Sequence, residues 1–120
     1  MNKYVPLHVH TSRNSIGDSI LKLDKYISKA KELNLDTLCI TGHGSLADMY
    51  DFYFKCIEND IKPIIGCEMY VARRSMDKRE GKQDQSGWHL IVLAKNKKGY
   101  HNLIKLVSRA WTNGYYMRPR

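Results

Sequence analysis

Residues 37–44 read TLCITGHG, and they decide the fold. Thr37 to Thr41 is a short run of apolar and β-branched residues. Such a run suits a buried strand, and Gly42-His43-Gly44 breaks it. Helical patterns flank it on both sides. Upstream, Ile20, Leu23, Ile27, Ala30 and Leu33 recur at spacings of three and four, which predicts a helix over about 21–33. Asn34 then offers a left-handed stop. Downstream, Ser45 is placed to cap a helix running to about Asn59. Its expected stripe is Leu46, Met49, Tyr53, Cys56 and Ile57, with Tyr50 and Phe52 alongside. Pro63 opens a further strand over about 64–71.

The pattern continues outward. Residues 4–10 alternate, with Val5, Leu7 and Val9 on one side and Pro6, His8 and His10 on the other. This reads as a first strand, with Pro6 early enough to be tolerated. Residues 72–87, ARRSMDKREGKQDQSG, are nearly free of apolar residues and read as a mobile loop. Residues 88–94 (WHLIVLA) form a fourth strand. A last helix covers about 97–113, with Tyr100, Leu103, Ile104, Val107, Ala110 and Trp111 on one face and Gly114 ending it.

The expected order is β-α-β-α-β-loop-β-α, an α/β fold with largely parallel strands. No linker divides the chain, so residues 1–120 read as one domain. A complete barrel of alternating strands and helices needs about 200 residues. Four strands are therefore the first portion of something larger, and an apolar sheet edge should be exposed.

Hydrophobic residues are 42% and charged residues 27%, which excludes disordered and fibrous classes. No apolar run approaches the roughly 18 residues of a membrane helix. Residues 1–10 lack the apolar core of a secretory signal. The net charge of +8 favours anionic partners, nucleic acid first, although a solvated basic surface would carry the same excess. Cys39, Cys56 and Cys67 form no C-x-x-C pair, and reduced, packed thiols in a cytoplasmic protein are expected.

The chemistry lies in the histidines. His8 and His10 share one face of the first strand and suit a divalent metal. His43 follows the second strand, where active sites of parallel α/β folds lie. Glu68 sits inside the apolar run IIGCEMYV, and a buried carboxylate needs a cation or an ion-pair partner. His89 begins the fourth strand. It reaches the same rim only if the third and fourth strands pair antiparallel, and the lack of a crossover helix in residues 72–87 predicts that pairing. Asp18, in the loop after the first strand, either turns toward His10 or caps the following helix. Mixed imidazole and carboxylate donors suit zinc, manganese or iron better than magnesium. Six donors exceed one tetrahedral ion, so a multinuclear site is expected, of the kind that hydrolyses phosphate esters.

These segments resemble the polymerase-and-histidinol-phosphatase (PHP) family. LHVHT with Asp18 resembles its first motif, and ITGHG resembles the second, usually T-D-H-G. KPIIGCEMYVA, HLIVLAKNKKGYHNLIKLVSRAW and GYYMRPR resemble segments of the bacterial DNA polymerase III alpha subunits, the C-family replicative polymerases. The resemblance covers nearly the whole chain. It implies a distorted (βα)7 barrel at a polymerase N-terminus, of which this is a part, with up to nine ligands holding three metal ions. His8, His10, Asp18, His43, Glu68 and His89 match the first six ligand positions. It also implies 3′–5′ exonuclease chemistry in active members and a scaffold role in degenerate ones. The implied partners are DNA, the rest of a polymerase chain and replisome subunits such as the sliding clamp. Two departures stand out. Gly42 replaces the acid of T-D-H-G, and the stretch between His10 and Asp18 is one residue longer than usual. A free-standing phosphoesterase of the histidinol-phosphatase type and a non-catalytic scaffold are the alternative readings.

Overall fold

A computed structural model describes residues 4–85 and 87–120. Residues 1–3, part of the stretch read for a leader, and residue 86, in the expected loop, lie outside it. The elements are α1 (Leu23–Glu32), β1 (Thr37–His43), α2 (Met49–Glu58), β2 (Lys62–Ala72), α3 (Lys82–Gln85), β3 (Gly87–Leu93) and α4 (Lys97–Thr112). The three strands form one sheet in the order β1-β2-β3. β1 and β2 run parallel, with His43 opposite Glu68. β2 and β3 run antiparallel, as their short polar connection predicts, with Tyr70 opposite His89.

The sheet has two unlike faces because side chains alternate along each strand. Leu38 and Ile40 of β1 pack with Leu23, Ile27 and Ala30 of α1 and with Met49, Phe52 and Cys56 of α2. Cys67 and Met69 of β2 pack with Leu103, Val107 and Ala110 of α4. The other face carries His43, Glu68, Tyr70 and His89. The helices therefore bury one side of the sheet and leave the opposite side for polar chemistry.

Several expectations are corrected. The first expected strand does not form, so there are three strands rather than four among the described residues. Residues 4–10 run beside β1, but Pro6 has no N–H to offer. The Val9 N–H is taken by the Thr41 hydroxyl at 2.8 Å, while the Thr41 N–H donates to the Val9 carbonyl at 2.7 Å. A side chain thus replaces the next rung of the ladder. α1 begins at Leu23 rather than 21, and Ile20 and Leu33 from its expected stripe are exposed. Asn34 does adopt the left-handed conformation, at φ 53°. α2 begins four residues later than Ser45, because residues 45–48 form a turn that ends with Asp48 at φ 68°. That start turns Phe52 inward to 0% exposure and leaves Tyr50, Tyr53 and Ile57 exposed. β3 is an edge strand with Trp88 and Leu90 exposed.

Of the expected mobile loop over 72–87, residues 73–85 are tied down by hydrogen bonds and include α3. Arg74 grips both oxygens of Asp84, at 3.0 and 2.5 Å. Arg120, which is buried, donates to the carbonyls of Asp84, Met76, Lys78 and Gly114. A guanidinium has enough fixed donors to hold several turns of chain at once. The substitution Arg120→Met removes them all. We expect it to raise the rate of tryptic cleavage within residues 73–82 about tenfold. Unchanged cleavage would show that Arg120 does not hold this loop.

Candidate metal centre

The parallel register between β1 and β2 builds the centre. His43 and Glu68 are paired residues, so their side chains leave the sheet on the same face. Tyr70 follows Glu68 by two and joins that face, and the antiparallel register sets His89 opposite Tyr70. His8 and His10 come in from the segment pinned to Thr41. All four histidines reach one carboxylate.

Glu68 is 2% exposed. Its Oε2 lies 2.7 Å from His8 Nε2, 3.0 Å from His10 Nε2 and 3.5 Å from His43 Nδ1. Its Oε1 lies 2.5 Å from His89 Nδ1. Two donor groups result, His8–His10–Glu68 and His43–Glu68–His89, and Glu68 belongs to both. Asp18 Oδ2 is 3.0 Å from His43 Nε2. Asp18 therefore turns to His43, not to His10. It does not cap α1 either, whose first turn starts from Lys22 without a side-chain cap. Tyr70, absent from the sequence reading, lies with its hydroxyl 3.2 Å from His43 Nδ1. Its position two residues after Glu68 was a readable signal.

The protonation states suit cation binding. Burial raises the Glu68 carboxyl, but the bond from His8 and the charge of His43 outweigh it and hold the group below its ordinary value. Burial and the charge of His43 lower the His10 imidazole, against the pull of Glu68. Both groups thus favour their deprotonated forms at neutral pH.

The orientation of His10 comes from Ser15. The Ser15 hydroxyl donates to Asn14 Oδ1 at 3.1 Å, so it accepts from His10 Nδ1–H at 2.7 Å. That leaves the lone pair of His10 Nε2 facing His8 Nε2, 2.9 Å away, and Glu68 Oε2. Three electron-rich atoms 2.7–3.0 Å apart repel unless a proton or a cation lies among them. Ligands about 2.1 Å from one ion and at right angles are about 3.0 Å apart, so the spacing fits a divalent cation. The donor set fits as well.

The loop that carries Ser15 is held by the Thr11 N–H, which donates to Asn14 Oδ1 at 2.8 Å, and by the Thr11 hydroxyl on Asp48 at 2.5 Å. Arg13 bridges Asp48 and Asp51. Asn14 also explains Gly42. A Cβ on residue 42 would sit 2.7 Å from Asn14 Cβ and 2.9 Å from the Ser45 carbonyl. Asn14 thus occupies the space into which a side chain at residue 42 would project. Nothing in linear spacing marks Asn14 or Ser15 for this role.

Two outcomes follow from that contact. Gly42→Asp should lower metal affinity rather than improve it, because the new side chain displaces Asn14 and with it Ser15. Ser15→Ala, which frees the His10 ring and removes the hydroxyl's bonds to Asn14 and the His43 N–H, should weaken metal binding about 10-fold. Both are read by metal titration, and a gain in affinity for Gly42→Asp would refute the packing argument.

The sequence is similar to known proteins over nearly its whole length. The PHP domain family model matches residues 6–120. The DNA polymerase III subunit alpha of Chlamydia muridarum is 46% identical over 118 residues, which is 98% of this chain and 10% of that protein. That of Borreliella burgdorferi is 44% identical over 122 residues, again 10% of its length. That of Thermus aquaticus is 41% identical, with 98% of this chain covered. The chain spans about a tenth of the length of these relatives. No helix among the described residues is long and apolar enough to cross a membrane. Because the family model matches residues 6–120, nearly the whole length, this chain belongs to the PHP domain family.

Proposed function

We propose that residues 1–120 are the N-terminal portion of the PHP domain of a replicative DNA polymerase III alpha subunit, and that His8, His10, Asp18, His43, Glu68 and His89 are its first metal ligands. The whole protein is then a cytoplasmic DNA-directed DNA polymerase. Its partners are DNA, the rest of its own chain and replisome subunits such as the sliding clamp. The PHP region adds a metal-dependent phosphoesterase of the 3′–5′ exonuclease kind.

One observation carries this reading: a buried carboxylate that four imidazoles approach at once. A buried charge is costly without a counter-charge. Zinc, manganese or iron ions in a multinuclear arrangement would supply it. His8, His10 and Glu68 would hold one ion, and His43, Glu68 and His89 a second, with Asp18 beside His43. Bound there, the metal would supply an activated water and a counter-charge for phosphoryl oxygens. The chain's own part is to orient those ligands through Ser15, Thr41 and Tyr70 and to bury the shared carboxylate. The relatives' names support the polymerase context over a free-standing phosphatase.

The test is metal content and manganese-dependent 3′ nuclease activity of the full-length chain, with and without the pair His8→Ala and His10→Ala. We expect the wild type to retain metal, and the double variant to lose at least about 100-fold in nuclease rate while polymerisation persists. A full-length wild type that holds no metal would leave a scaffold as the better account.

A further inference from the structure

The tail after α4 returns to the metal centre. Trp111 Nε1 donates to the Gly44 carbonyl at 2.7 Å, just past His43. Pro119 lies so close to Gly44 that a Cβ there would be 2.7 Å from Pro119 Cγ, and Gly44 itself has φ 53°. Arg120, next in line, is buried and bonded to four carbonyls. Arg118 is thus carried on anchored backbone, although its side chain is exposed.

Its guanidinium is placed with care. Arg118 Nη1 donates to the Tyr70 hydroxyl at 2.8 Å, and the guanidinium carbon stands 5.1 Å from the Tyr70 ring centre. Tyr70 in turn touches His43 at 3.2 Å and His89, with ring centres 4.9 Å apart. The cation is therefore two hydrogen bonds from the donor cluster. Among the described residues, no carboxylate pairs with it. Arg118 spends one of five N–H donors on a neutral phenol, and the others stay available beside the site.

We propose that Arg118 is the anion-binding residue of this centre, holding a non-bridging oxygen of a phosphate ester. This rests on the metal-dependent phosphoesterase reading. A planar guanidinium matches two phosphate oxygens at once, and its bonds to them are charge-assisted. Tyr70 fixes the height of the fork above the histidines. The anchored Pro119 and Arg120 hold the backbone that carries it.

The probe is thymidine 5′-monophosphate, titrated by calorimetry into the manganese-loaded full-length chain, with metal content measured on the same samples. For Arg118→Gln we expect affinity for the nucleotide to fall about 10- to 100-fold at unchanged metal content. Arg118→Lys, which keeps the charge but not the fork, should lose less. Equal nucleotide affinity in the wild type and Arg118→Gln overturns the proposal. So does a parallel loss of metal, which would make Arg118 a structural residue. A wild type that takes up no metal fails at the earlier step and refutes the phosphoesterase reading itself.

Discussion

The carboxylate of Glu68 is the constraint on which the rest of this structure depends. It is buried on a sheet face that the helices leave uncovered, and four imidazoles approach it. Its position follows from register. A parallel pair that sets His43 beside Glu68, and an antiparallel pair that sets His89 beside Tyr70, bring three strands' polar residues to one rim. A slip of one residue in either pairing would turn the partner histidine to the helix-covered face. The sheet's apolar face makes such a slip costly, because Leu38, Ile40, Cys67 and Met69 would lose their packing.

Gathering so many donors around one acid demands outside support. Thr41 substitutes its hydroxyl for a backbone rung and so pins the segment that carries His8 and His10. Ser15 sets the tautomer of His10, and Asn14 holds Ser15. The space that Asn14 occupies exists only because residue 42 is glycine. On the far side, Trp111 and Pro119 close on Gly44, and Tyr70 connects the tail to His43. Preorganisation of this kind keeps the imidazoles and the carboxylate in place.

Much of this was legible in the chain's order of residues. The helical stripes located three helices, and the apolar run around residue 39 located the central parallel strand. The absence of an amphipathic stretch between residues 72 and 87 was enough to predict the antiparallel hairpin. All six candidate site residues lie within one set of contacts. Less was legible where side chains compete with backbone. Residues 4–10 alternate like a strand, yet Pro6 and the Thr41 hydroxyl prevent a ladder. The polar loop at residues 72–87 looked mobile because its anchor, Arg120, lies more than thirty positions away.

By itself the sequence determined the types and spacing of the donors, the helix and strand periods, and membership in a family of metal-binding domains. Those are local properties, set by which side chains share a face at period two or 3.6. Only the tertiary structure decided that Asp18 turns to His43, that Asn14 fills the space over Gly42, and that Arg118 stands beside Tyr70. Such contacts join residues far apart in the chain, and their geometry depends on packing that no single segment contains.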